Sequence, residues 1–234
     1  MNIKFDKEKI GRTLEVISPI DAEAMEQKEA ARYEAAGNPN TSPEVLAELA
    51  KDQDHLVRHA VAENTSTSPE TLVELAKDQN IIVRGAVAAN SHTSEDVLSE
   101  LAKDQHVYVR SAILANPSLS AEFLQRLAKD QNHLIRRGVA AHVNTPLETL
   151  SELAKDNDKS IRRNVAKNPH TPSNLLSELA KDDNWFIRLD VAEHKNTPPE
   201  VLVELAKDND RFVRLEAEKN LSRKQAEEST EMSM

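Results

Sequence analysis

A motif that returns every 26 residues constrains this chain more than any single residue does. Leu46-Ala-Glu-Leu49-Ala50-Lys51-Asp52 is followed six residues later by Arg58. The same Leu-x-x-Leu-Ala-Lys-Asp ends again at Asp78, Asp104, Asp130, Asp156, Asp182 and Asp208. The matching arginines are Arg84, Arg110, Arg136, Arg162, Arg188 and Arg214. A fixed period of this size belongs to a stacked-repeat solenoid. Each unit buries its apolar face only against its neighbours, so the stack forms one elongated domain. Function must then be sought where the copies differ.

Seven repeats are read at 38–63, 64–89, 90–115, 116–141, 142–167, 168–193 and 194–219. Each is expected to hold two short helices. The first opens with Thr41-Ser-Pro-Glu44, Thr67-Ser-Pro-Glu70, Thr145-Pro-Leu-Glu148 or Thr197-Pro-Pro-Glu200. That is a capping-box pattern with Thr as the expected N-cap. Leu119 replaces the threonine in the fourth repeat, which should move the cap to Ser120. Leu46, Leu49 and Ala50 then supply an apolar stripe at helical spacing.

The second helix is expected to start after Asp54, Asn80, Asn132, Asp158, Asn184 or Asp210, all good N-caps, with His106 the exception. Val57 and Val61, four apart, should face the core, as should Val83 and Val87, Val109 and Ile113, and their later counterparts. Val213 and Ala217 taper that core in the last repeat.

The flanks of the repeat array are less regular. Leu14-Glu-Val16-Ile17 is compatible with a short strand or a helix end. Asp21 to Ala36 reads as a helix capped by Asp21, and Arg32 to Gly37 as half a degenerate repeat. Residues 1–37 are thus an N-terminal segment with a capping helix, and 220–234 a C-terminal cap. The last eight residues or so are expected to be disordered.

The repeat Asn-Pro-Asn-Thr-x-Pro-Glu-x-Leu-x-x-Leu-Ala-x-Asp-x-x-x-x-Val-Arg-x-x-Val-Ala resembles the leucine-rich repeat variant family over 38–219. It is more loosely similar to HEAT repeats through its Asp…Val-Arg pairing. The resemblance implies an all-α, right-handed superhelical solenoid of paired helices, one of which can be 3₁₀. A founding member of that family carries a cysteine-ligated iron–sulfur cluster. This chain has no cysteine, so that cofactor does not carry over. No other cofactor or metal is expected.

Composition narrows the chemistry. Without cysteine there is no thiolate metal site and no cysteine nucleophile. A net charge of −10 argues against general affinity for phosphate backbones. No apolar run suits a signal peptide or a bilayer span, so a cytoplasmic protein is expected. No Walker loop, dinucleotide fingerprint or His-Glu-x-x-His occurs. His55, His59 and Glu63 have the spacing of metal ligands on one helix face. The matching slots in the next repeat are Ile81, Gly85 and Ala89, which add no ligand, so an exposed polar face is the better reading. The Asp–Arg pairs, repeated in every unit, read as structure: each arginine should bind an aspartate of its own or an adjacent repeat. His142 and His194 should cap turns where other repeats use Asn.

The variable slots lie two residues before and two after the first apolar residue of each second helix. They hold His55/His59, Ile81/Gly85, Val107/Ser111, His133/Arg137, Lys159/Arg163, Trp185/Leu189 and Arg211/Leu215. Second helices line the concave face of such solenoids, the usual binding surface. Arg137, Lys159, Arg163 and Lys167 form a basic stretch, followed by Trp185, Leu189, Arg211 and Leu215. The neighbouring Phe186 and Phe212 are assigned to packing. The expected role is a non-enzymatic scaffold binding an acidic protein segment with apolar anchors, with no nucleic acid and no membrane. The alternative is a HEAT-like solenoid enzyme acting on nucleic acid or protein. An unpaired carboxylate with a raised pKa in a cleft would favour that alternative. The oligomeric state is not legible.

Overall fold

The computed structural model describes residues 19–231, and among them every regular element is helical. Leu14, Val16 and Ile17 lie outside the described residues. A long helix α1 (Pro19–Gly37) comes first. Short helices then alternate: α2 (Pro43–Leu49), α3 (His55–Glu63), α4 (Pro69–Leu75), α5 (Ile81–Ala89), α6 (Glu95–Leu101) and α7 (Val107–Ala112). The series continues with α8 (Ala121–Leu127), α9 (His133–Ala141), α10 (Leu147–Leu153), α11 (Lys159–Lys167) and α12 (Ser173–Leu179). It closes with α13 (Trp185–Glu193), α14 (Pro199–Leu205) and α15 (Arg211–Glu231). A 3₁₀ turn, Ile113–Ala115, extends α7.

Helices of this length are marginal alone, because nucleation costs more than two turns return. Packing supplies the difference. Val57, Val61, Val83, Val87, Ile135 and Val139 are fully buried, and so are Leu46, Leu72, Leu124 and Leu150 from the first helices. Val213 and Ala217 remain fully buried at the C-terminal end. One continuous apolar cluster therefore runs from Ala36 to Ala217.

Each turn is set by the repeat aspartate. Asp78 Oδ1 accepts the Asn80 N–H at 2.8 Å, which swings the chain into α5, and Asn80 caps that helix through the Ile82 N–H at 2.8 Å. The expected caps Asp54, Asn132, Asp158, Asn184 and Asp210 act likewise. His106 does the same with its ring nitrogen, 3.3 Å from the Tyr108 N–H.

The remaining Asp78 valence ties its repeat to the preceding one. Arg58 Nε and Nη2 donate to its two carboxylate oxygens at 2.6 and 3.0 Å, while Nη1 donates to the Asp52 and Gln53 carbonyls. The pairing is therefore to the following repeat, a fork-on-carboxylate contact. Similar pairs recur from Arg32–Asp52 to Arg188–Asp208. A second ladder is buried. Asn90 Nδ2 donates to the Ala62 and Asn64 carbonyls of the preceding repeat, and Asn64, Asn116, Asn168 and Asn220 repeat the bond. His142 and His194 take that slot, and their Nδ1 atoms accept the N–H two residues on.

Several local expectations are corrected. The threonines do not cap the first helices. Ser42, Ser68, Ser94 and Ser120 do, in one common register, and Pro146, Pro172 and Pro198 occupy that place later. Thr67 instead donates its hydroxyl to the Val61 carbonyl at 2.6 Å, and Thr145 and Thr197 clasp Val139 and Val191 likewise. A hydroxyl one residue earlier than expected is better spent on the open carbonyl end of the preceding helix. Helix α1 starts at Pro19, ahead of Asp21. Helix α15 carries the chain to Glu231, so 227–231 continue a helix where disorder was expected, and 232–234 lie outside the described residues.

Candidate interaction surface

Successive second helices pack directly on one another: α3 on α5, α5 on α7, α9 on α11, α11 on α13 and α13 on α15. Successive first helices approach each other far less closely. The second helices therefore form the tighter row. Of the variable slots, His133, Arg137, Lys159, Arg211 and Leu215 are exposed on its solvent face, whereas Gly85 is buried and Ile81, Val107 and Leu189 pack partly against the core, so the outward reading holds only for part of the row.

On that face the structure brings part of the expected basic stretch together. Arg137, Lys159, Ser160, Arg163, Asn164, Asn184 and Phe186 line an open groove of about 550 Å³. Asn164 fixes one wall by donating to the Arg137 carbonyl at 3.0 Å. Arg137 and Lys159 are exposed, and among the described residues neither forms an ion pair. Their charge is open to a ligand.

Arg163 and Lys167 differ from expectation. Arg163 Nε donates to Asp190 Oδ2 at 2.6 Å, and Nη2 to Oδ1 at 3.4 Å. Lys167 Nζ stands 3.9 Å from the same carboxylate, whose side chain is 3% exposed. A carboxylate that buried must be compensated, and these two cations do so. The hydrogen bond to Asp190 raises the Arg163 pKa, against a smaller opposing effect of burial. The signal was in the sequence: Asp190 fills a slot held by Ala60, Ala86, Ala112 and Gly138 in the first four repeats and by Asn164 in the fifth, and a charge in such a slot needs a partner.

The apolar half is also rearranged. Phe186 and Phe212, expected to pack inside, are 42% and 49% exposed. Trp185 is half-buried, its ring 3.7 Å from that of Phe186 and 6.2 Å from that of Phe212 between centroids. Arg163 lies over Phe186 at 5.1 Å and Arg211 over Phe212 at 4.9 Å. Leu189 packs partly against the core, and Leu215 stands open at 62% exposure. The exposed apolar element is thus a cluster of three rings. At the other end of the stack, His59 Nδ1 lies 3.5 Å from Glu63, and His55 Nδ1 3.5 Å from Asp54. No group of three metal-ligating side chains occurs among the described residues.

Residues 30–80 match the model of the Leucine Rich Repeat Variant domain. A solved structure, described as a leucine-rich repeat variant with a novel repetitive protein structural motif, is 28% identical. The match covers 84% of this chain and 83% of that one, with a TM-score of 0.63. The chain is thus similar to leucine-rich repeat variant proteins in sequence and in fold. An archaeal HEAT-like repeats protein from Thermococcus onnurineus is 18% identical over 84% of this chain and 91% of that one, TM-score 0.39. Human deoxyhypusine hydroxylase, solved with glycerol, is 14% identical over 87% and 98%, TM-score 0.37. No curated protein matched the sequence. No helix of the described residues is long and apolar enough to cross a membrane.

Proposed function

We propose that this protein is a non-enzymatic scaffold whose second-helix face binds an acidic protein segment bearing apolar anchors. The observation that carries the reading is the groove where unpaired Arg137 and Lys159 sit beside the exposed ring of Phe186. Opposite charge would speed encounter and set register, and the aromatic cluster would supply affinity through desolvated contact. A long phosphate backbone fits less well, because it would meet a chain of net charge −10.

Carboxylate chemistry also supports binding over catalysis. The described carboxylates with a perturbed pKa are shifted downward, as Asp156 is by its bond to Arg136, in keeping with a role as ion-pair and hydrogen-bond partners.

The test uses two labelled peptides, one of Glu and Leu and its counterpart with Lys for Glu, titrated by fluorescence anisotropy at two salt concentrations. The acidic peptide should bind more tightly. Arg137→Glu combined with Lys159→Glu should weaken it about ten-fold or more and flatten its salt dependence. Arg163→Glu is avoided, because it would set a second carboxylate against buried Asp190. Equal binding of both peptides, or no effect of the double substitution, would refute the proposal.

A further inference from the structure

One slot of the second helix, immediately before its first core residue, is large and apolar in nearly every repeat. It holds Leu56, Ile82, Tyr108, Leu134, Phe186 and Phe212, at 26-residue steps with one step of 52 between Leu134 and Phe186. In a slot this regular a core role would leave the side chains buried. Instead they are 38% to 49% exposed. The fifth repeat alone breaks the row, with Ser160.

Contacts show which way the row faces. The Tyr108 ring lies over the preceding helix, where a Cβ on Gly85 would meet Tyr108 Cε1 at 2.5 Å. Phe186 likewise meets Arg163, and Phe212 meets Trp185, each on the preceding second helix. Tyr108, Phe186 and Phe212 therefore lean across the seams between consecutive second helices, on the face that carries the groove. The groove is the place where the row lacks its large side chain: Ser160 lines it, with Arg137 and Lys159 beside it.

We infer that the row is the track for one extended acidic protein segment, whose apolar side chains pack against it at every third residue. A single Asp or Glu of that segment enters the gap at Ser160 and meets Arg137 and Lys159. This inference rests on the acidic-segment reading of the same groove and gives it a register.

The spacing favours an extended occupant. Packed helices lie ~8–10 Å apart, so the row offers an apolar foothold at about that interval. A polyproline-type extended chain, with three residues per turn and ~3.1 Å per residue, brings every third side chain back to one face at about 9 Å, whereas a β-strand would turn alternate side chains away from the row. An α-helix repeats a face at about 10.5 Å per seven residues with a fixed rise, so its mismatch accumulates along the row. Charge decides the rest. Apolar footholds above and below the gap fit any hydrophobic chain, but the gap itself holds two unpaired cations.

The full chain is panned against a displayed library of random linear peptides of about 20 residues, enough to follow six steps at three residues each. Expected is enrichment of apolar residues at every third position, with one Asp or Glu among them. Panning Ser160→Leu, which fills the gap, should lose the acidic preference and keep the apolar spacing. Tyr108→Ala and Phe212→Ala should each weaken a selected peptide about ten-fold. Their urea midpoints are compared with the parent's, and Leu134→Ala replaces either that has lost its fold. Apolar spacing of seven would overturn the extended occupant. Peptides that need Arg137 and Lys159 but ignore Tyr108→Ala, Leu134→Ala and Phe212→Ala would overturn the track and leave the groove reading standing. Failure to enrich any peptide, or indifference to the groove and row substitutions alike, would overturn both.

Discussion

Replacing Arg136 by Gln removes one rung of the ion-pair ladder from the middle of the stack. The guanidinium makes four contacts: 2.7 and 3.2 Å to Asp156 of the next repeat, and 2.9 and 3.1 Å to the Asp130 and Gln131 carbonyls. Its side chain is 21% exposed and that of Asp156 11%, so the pair sits between a surface bridge and a buried one. Surface pairs are worth about 0–1 kcal/mol, and breaking a buried pair costs about 3–5. The substitution leaves Asp156 with its bond from the Asp158 N–H as partial compensation. A loss of about 2–3 kcal/mol is expected. Arg214 is the internal control. It keeps the bonds to the Asp208 and Asn209 carbonyls, at 2.6 and 3.0 Å, but among the described residues it meets no carboxylate, the position 20 residues on being Met234. Arg214→Gln should therefore cost only about 1 kcal/mol. Urea unfolding followed by far-UV circular dichroism at neutral pH measures both, provided the denaturant slopes agree. Equal losses at the two positions would refute the claim that the inter-repeat carboxylate contact stabilises the stack.

Other positions make separate tests. Leu127, 3% exposed under α8, should cost about 2–5 kcal/mol as Leu127→Ala; a loss below about half a kilocalorie would mean the helix faces are misassigned. Burial lowers the pKa of His194, whose Nε2 donates to the Asn168 carbonyl at 3.0 Å while Nδ1 accepts from Asn196. A folded pKa below the unfolded one means the unfolded chain binds more protons, so this contribution is complete above about pH 6.5 and is lost as pH falls. His194→Asn, which restores the ladder residue, should flatten the stability profile on the acid side of that value, and an unchanged slope would refute the assignment. Thr149 is fully buried and its hydroxyl has no partner, so Thr149→Val should be neutral or stabilise by about 1 kcal/mol; a clear loss in the melting curve would show that the hydroxyl is bonded.

The period by itself determined the helical pairs, the buried Val/Ile and Leu positions, the second-helix caps and the structural role of the Asp–Arg pairs. Those follow from local rules: helical spacing selects the core face, and a charge repeated in every unit must be satisfied by the repeat itself. Tertiary structure decided which repeat each arginine reaches, because the reach of a guanidinium depends on how one unit sits on the next. It also decided the fate of the surface. Arg163 and Lys167 look like free cations until Asp190, 27 and 23 residues further on, is folded beneath them. Phe186 and Phe212 occupy a flank position that helical geometry alone places near packing. The packing of one second helix on the next leaves that flank exposed, and there Tyr108, Phe186 and Phe212 meet the preceding second helix.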